Sequence, residues 1–305
     1  MRRGRRAPAI SAPAPLVPRA LVPRPLAALA VALALAWALT GCAKGPELGR
    51  YGVCAEYTPE LQAQLDGLGP VWYYDYHYDT PSLDGHPRLL MVRWEPFGEA
   101  LEQALRAAPG SWLAAGNEPN DVNQDNRTPA DYARFYHDLY RWAKKVDRRC
   151  KVIPAGVSNA DWRWLDQFRA EYQRLYGEYP PADGWNIHNY LLEAELDPYD
   201  VAEFKRRIIG FRHWMMEIGE ADKPLFLTEF GVLYGSGCCG RPVDPPSKTV
   251  DYMRETVAWL AETGYVQHWA WFIANNAREF NGGLYDAGGA LTEYGAAYRD
   301  LVAQP

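Results

Sequence analysis

Residues 111–119 read SWLAAGNEP, an apolar run that stops on a carboxylate set in front of a proline. Such a run reads as a buried strand, and Asn117-Glu118 stands where the chain leaves the interior. Pro119 is expected to hold Glu118 extended, since the residue before a proline is disfavoured from the helical region. Taken alone, a charge at this position is a surface turn. Its weight depends on what the rest of the chain delivers to the same place.

Working outward, seven further apolar or β-rich runs recur, at 50–57, 69–76, 88–94, 151–157, 184–190, 224–230 and 266–273. Between most of them lie amphipathic segments with apolar spacing near 3.6, clearest at 59–65, 97–108, 128–146, 161–177, 201–219 and 247–264. Thr128-Pro129 and Ser247 are suited to start two of these helices, as a capping hydroxyl or a proline in the first turn. Strands alternating with helices imply a parallel sheet. Eight such repeats over about 255 residues predict an α/β fold of one kind, a single (β/α)8 TIM barrel spanning 50–305. Residues 77–87, HYDTPSLDGHP, join the second and third runs through a turn-rich loop with no helix. An open doubly wound sheet fits less well, because no glycine-rich phosphate loop follows the first strand.

A barrel places its active site at the C-terminal ends of its strands. Those ends supply Asn117 and Glu118, Glu229 (from LFLTEF), His188 and Tyr190, Trp269 and Trp271, and Arg93, Trp94 and Glu95. Two glutamates that finish apolar strands are the pair glycosidic cleavage needs, one to protonate the leaving oxygen and one to attack or to activate water. Either alone reads as a turn or cap residue; together they read as catalytic. Glu95, in RWEP, is expected to pair with Arg93 or to cap the next helix. His188 is readable as a satisfied interior histidine or as a working one. Alternate members of the aromatic run Trp72, Tyr73, Tyr74, Tyr76 and Tyr78 must face opposite sides of a strand. Asp161, Trp162 and Trp164 divide similarly between packing and sugar stacking.

Four endings carry a family likeness: GNEP, IHNY, TEFG and WAWF resemble those of the clan A glycoside hydrolases. Within that clan the chain is similar to the glycosyl-hydrolase catalytic cores that include fungal cell-wall proteins and endo-β-1,3-glucanases, over almost all of 50–305. The resemblance implies Glu118 as general acid/base, Glu229 as nucleophile and retention of configuration. It further implies that Asn117 meets the sugar 2-hydroxyl, that His188 and Tyr190 position nucleophile and sugar, and that Trp271 floors a subsite. Arg93 and Trp94 join the substrate-binding candidates. A β-glucan or related polysaccharide is the implied substrate. Transglycosylation on the same scaffold, or carbohydrate binding without catalysis, are the alternatives.

The N-terminus has a different character. Residues 1–25 carry six arginines and no acid, and an apolar stretch then closes on Leu39-Thr40-Gly41-Cys42. A basic start, an apolar core and small residues at a cleavage point describe a secretory signal. The ending resembles a bacterial lipobox. Residues 1–41 are therefore expected to be a lipoprotein signal peptide, with a lipid on Cys42, a tether over 42–49 and a place in the cell envelope. An uncleaved membrane anchor over 26–43 is the other reading.

Removing 1–41 leaves 26 basic against 38 acidic residues, moving the formal charge from −6 to −12. An acidic domain with 13% aromatic residues lacks the basic face nucleic acid requires. Cys54, Cys150, Cys238 and Cys239 read as structural, and three pairings are open to them. Neither a His-Glu-x-x-His motif nor a cysteine cluster is present, so neither a metal nor a cofactor is expected.

Overall fold

A computed structural model of the chain describes residues 47–233, 244–275 and 282–304. The expected signal segment, Cys42, Cys238 and Cys239 lie outside those residues. The described strands are β1 (Tyr51–Cys54), β2 (Trp72–Tyr74), β3 (Leu90–Val92), β4 (Trp112–Asn117), β5 (Lys151–Gly156), β6 (Trp185–Asn189), β7 (Leu225–Phe230) and β8 (His268–Trp271). Seven α-helices accompany them: α1 (Leu61–Leu68), α2 (Glu99–Ala107), α3 (Pro129–Val146), α4 (Trp162–Tyr176), α5 (Val201–Glu217), α6 (Pro246–Thr263) and α7 (Glu293–Val302).

The fold is mixed α/β, and every pairing between these strands is parallel. The strands form two sheets, in the orders β2-β1-β8-β7-β6 and β3-β4-β5. Single parallel bridges, Tyr73 to Arg88 and Val157 to Ile187, link the edges of the two sheets. No helix lies between β2 and β3, as the turn-rich 77–87 segment implies.

The helices follow from local sequence. In α3, Thr128 accepts a hydrogen bond from the Asp131 backbone N–H and Pro129 occupies the first turn. Tyr132, Phe135, Tyr136, Leu139 and Ala143 form its buried stripe, at three- and four-residue steps. Lys144 and Lys145 sit in the last turn, where cations complement the helix dipole. Helix α6 starts differently from expectation: Pro246 opens it behind Pro245, and Ser247 does not cap it. A proline in the first turn gives up only an N–H that would lack a partner anyway. None of the described helices is long and apolar enough to cross a membrane.

Side-chain alternation gives the sheets two distinct cores. Val53, Leu113, Leu227 and Trp269 belong to a large core packed against the helices. Cys54, Trp72, Tyr74, Met91, Trp112, Ile153, Phe226 and Ala270, from strands of both sheets, form a smaller core of their own. Here Trp112 of β4 meets Phe226 of β7 at 4.8 Å between ring centres, edge to face. These rings stand at the beginnings of two parallel strands, so they fill one end of the smaller core. The C-terminal ends of the same strands, which carry the two glutamates, are left to form a cleft. Cys54 and Cys150 are buried free thiols.

Candidate active site

Strand β4 does not run straight into its glutamate. Gly116 has φ +101° and Glu118 φ +43°, so the chain turns twice in the left-handed region. A β-carbon at Gly116 would lie 2.9 Å from Asp125 Oδ2, which leaves glycine as the fitting residue. The extended conformation expected of Glu118 is therefore corrected. Tertiary contacts override the preference that Pro119 imposes: the Asn117 N–H donates to Asp125 Oδ2 at 2.7 Å and the Glu118 N–H to the Gly156 carbonyl at 3.0 Å. Asp125 is itself held by Arg93, whose Nε donates to Oδ1 at 2.7 Å. A left-handed non-glycine residue costs about 1–3 kcal/mol and persists where its surroundings over-determine it.

Glu229 reaches the same end from within β7. Its two carboxylate oxygens accept from different phenols, Oε1 from Tyr76 at 3.1 Å and Oε2 from Tyr190 at 3.0 Å. His188, on neighbouring β6 and fully buried, lies against both carboxylates: Nδ1 is 2.8 Å from Glu118 Oε1 and 3.5 Å from Glu229 Oε2. One oxygen of each glutamate and one nitrogen of His188 all lie within 4.8 Å of one another. Among the described residues this is the one convergence of three side chains able to ligate a metal. Both ring nitrogens are already in hydrogen bonds, Nε2 with Thr228 Oγ1 at 3.0 Å, so the cluster is arranged to share protons.

Charges here are displaced from their ordinary values. Burial pushes the Glu229 carboxyl up and Glu118 adds to this, while His188 and the hydrogen bonds from Tyr190 and Tyr76 pull it down; the net direction is up. Burial alone would lower His188, yet the neighbouring Glu229 charge and the Glu118 hydrogen bond raise it overall. The Tyr190 and Tyr76 phenols are driven far up, first by burial, so both keep the proton they donate to Glu229.

A cavity of about 760 Å³ opens over the carboxylates. Of the residues singled out in the sequence, Asn117, Glu118, Tyr190, Glu229 and Arg93 line it. His188 stands behind its wall. The Asn117 side chain accepts from the Tyr74 hydroxyl at 3.1 Å and donates to Gln124 at 3.1 Å. Trp94 is not in the lining; it is 56% exposed, with the Arg127 guanidinium 4.8 Å from its ring centre. Trp271 is not brought to the cavity either. Alternation along β8 turns it to the helix side with Trp269, where it packs on Phe230 and donates to the Gly282 carbonyl. Phe272 and Ile273, one and two residues on, line the cavity instead. Glu95 pairs neither with Arg93 nor with the start of α2; its partner is Arg127, at 3.7 Å. Sequence reasoning passed over Tyr76 as a partner of Glu229, and Asp125 and Thr228 altogether. Only Tyr76 had a signal, as a member of the aromatic run in step with Trp72 and Tyr74 and so on the face opposite Tyr73.

A parallel α/β scaffold with two buried carboxylates at one mouth defines the general class of protein, an α/β fold with a carboxylate-lined cleft at the C-terminal ends of its strands. The chain belongs to the glycosyl hydrolase catalytic core family, whose profile matches residues 52–298. No curated protein sequence matches it significantly. Its fold is similar to that of a GH128 subgroup I endo-β-1,3-glucanase from Amycolatopsis mediterranei, at 21% identity and TM-score 0.63, over 83% of this chain and 99% of the other. It is similar to a subgroup II endo-β-1,3-glucanase from Pseudomonas viridiflava, at 24% identity and TM-score 0.63, over 84% and 98%. It is also similar to a curdlan-specific exo-β-1,3-glucanase from Blastomyces gilchristii, at 23% identity and TM-score 0.63, over 82% and 97%.

Proposed function

We propose that this chain hydrolyses β-glycosidic bonds with retention of configuration, on a single closed eight-stranded (β/α)8 barrel. The observation that carries the reading is the pair of buried carboxylates, Glu118 and Glu229, with oxygens within 4.8 Å of each other beneath an open cavity. Retaining enzymes hold these groups roughly 5–5.5 Å apart, whereas inverting ones leave roughly 6.5–9.5 Å for a water. The short separation favours retention.

The environments favour the division of labour. Glu229, with a phenol donating to each oxygen, attacks the anomeric carbon as that carbon's bond to the leaving oxygen breaks. Glu118, sharing a hydrogen bond with His188, gives the departing oxygen its proton and recovers one from water when the glycosyl–enzyme ester is hydrolysed. Asn117 and Tyr190 orient the sugar from the cavity wall, and Phe272 takes the apolar wall position expected of Trp271. The fold similarity to enzymes that bind laminaritriose or degrade curdlan supports a β-1,3-glucan as substrate. The parallel bridges between the sheet edges support barrel closure. Residues 1–41 act as a lipoprotein signal, and a lipid on Cys42 tethers the domain to the cell envelope.

Product analysis on β-1,3-, β-1,4- and β-1,6-linked glucans tests the catalytic reading. The expected result is release of oligosaccharides from the β-1,3 polymer, with the β-anomer appearing first by NMR. Turnover of none of the three, or initial release of the α-anomer, overturns it. Loss of lipid incorporation and membrane association in Cys42→Ala tests the tether.

A further inference from the structure

Behind the carboxylates, a chain of buried hydrogen bonds runs away from the cavity. The Thr228 hydroxyl donates to Asn186 Oδ1 at 2.9 Å, and its oxygen lies 3.0 Å from His188 Nε2. Beyond the imidazole, Nδ1 lies 2.8 Å from Glu118 Oε1. Asn186 is 1% exposed and Thr228 and His188 are fully buried, so bulk water is not available to take over these bonds. The ring cannot slide aside either, because it packs on β5 where a β-carbon at Gly156 would be 2.3 Å from Nε2.

Proton bookkeeping follows from this order. Thr228 has one hydroxyl hydrogen, and Asn186 Oδ1 takes it, so toward His188 the Thr228 oxygen can only accept. His188 Nε2 must then carry a hydrogen. With Nε2 protonated, Nδ1 meets Glu118 in one of two states: an imidazolium donating to a carboxylate, or a neutral imidazole accepting from a carboxylic acid. Both states hold one proton between Nδ1 and Oε1. Losing it would set a bare nitrogen lone pair against a carboxylate oxygen at 2.8 Å.

We propose that Thr228 and Asn186 are positioning residues that lock His188 in its Nε2–H form, and that this lock keeps a proton on the His188–Glu118 pair for delivery to the leaving group. The proposal rests on Glu118 being the acid of the preceding section. Without the lock, His188 moves its hydrogen to Nδ1 and satisfies an ionised Glu118 with one proton fewer, so the acid unloads at lower pH. The upward displacement of His188 agrees with this direction. Of the other groups facing the pair, the Glu229 charge also raises His188, but it does so in the parent and in Thr228 variants alike and so does not stand in for the lock. Glu229 is an anion acceptor for two phenols, while the Tyr74, Tyr76 and Tyr190 phenols and the Cys54 thiol are all pushed well up and stay neutral.

Two measurements test the lock. In protein labelled with 15N-histidine, the buried His188 resonance is expected to show a protonated Nε2 throughout the pH range of folding, and in Thr228→Val to move its hydrogen to Nδ1 at neutral pH. The alkaline limb of the kcat profile on a β-1,3-glucan is expected to fall by about one pH unit in Thr228→Val, with about a tenfold loss of kcat above it. KM stays as in the parent, and Thr228→Ser restores both profile and tautomer. A parent His188 carrying its hydrogen on Nδ1 overturns the proposal without reference to turnover. So does a Thr228→Ser variant that loses as much as Thr228→Val, since that pattern reports packing. If the parent hydrolyses no glycan, the catalytic reading fails while the tautomer measurement still decides the lock.

Discussion

The ends of β4 and β7 deliver the same side chain to the same cleft by opposite means. Glu229 stays within a strand, and its two oxygens are each met by a tyrosine hydroxyl. Glu118 has left its strand through two left-handed turns, and its carboxylate meets a histidine. An anion that must attack carbon gains from O–H donors that cannot ionise. An acid that must part with a proton and take one back gains from a titratable neighbour. On the proposed assignment, chemically identical groups are divided into roles by what touches them, and the backbone geometry decides what can touch them.

The largest effect that would break this contrast is expected from Glu229→Gln, which should cut turnover by about 10⁴-fold or more while leaving binding of laminari-oligosaccharides intact by calorimetry. Parent-like turnover would remove Glu229 from the role of nucleophile. Glu118→Gln should lose about 10²–10⁴-fold on polysaccharide, and far less on an aryl glycoside whose leaving group needs no proton. Equal losses on both substrates would argue that Glu118 is not the acid.

Gly156→Ala comes next, because the added methyl must displace the His188 ring from the shared wall. A drop of about 10²-fold in kcat is expected, the scale of a 1 Å misplacement, with the fold retained by circular dichroism. Tyr190→Phe sharpens the Glu229 side. Removing a donor to the anion raises a carboxyl that burial already holds up, so the acid limb of kcat/KM should move to higher pH by about one unit. A shift to lower pH would show that the phenol does not stabilise the ionised form.

The smallest effect on rate is expected from Arg93→Ala, which acts on the loop that aims Glu118. Asp125 is left buried without its cation, at a cost of about 3 kcal/mol seen as a lowered thermal midpoint. An unchanged midpoint would mean the turn holds without this ion pair.

Much of this was legible in the chain. The eight apolar runs, the parallel direction and the missing helix at 77–87 follow from periodicities that are local. The pairing of Glu118 with Glu229 was legible because parallel strands necessarily send their C-terminal ends to the same side. Local rules failed where tertiary contacts outweigh them. Pro119 argues for an extended Glu118, but Asp125, Gly156 and their hydrogen bonds fix a left-handed one. Trp271 and Phe272 are adjacent aromatics, and only the facing of β8 tells which of them meets the cavity.

By itself, then, the sequence determined the alternation of strands and helices, the family likeness and the two carboxylates, since each rests on residue type and short-range order. Tertiary structure alone decided that Tyr76 and Tyr190 hold Glu229, that His188 bridges the two glutamates, and that Thr228 and Asn186 stand behind it. Those contacts join residues 39 to 153 positions apart. Hydrogen-bond partners at such separations are chosen by the register and twist of packed strands, which no local pattern encodes.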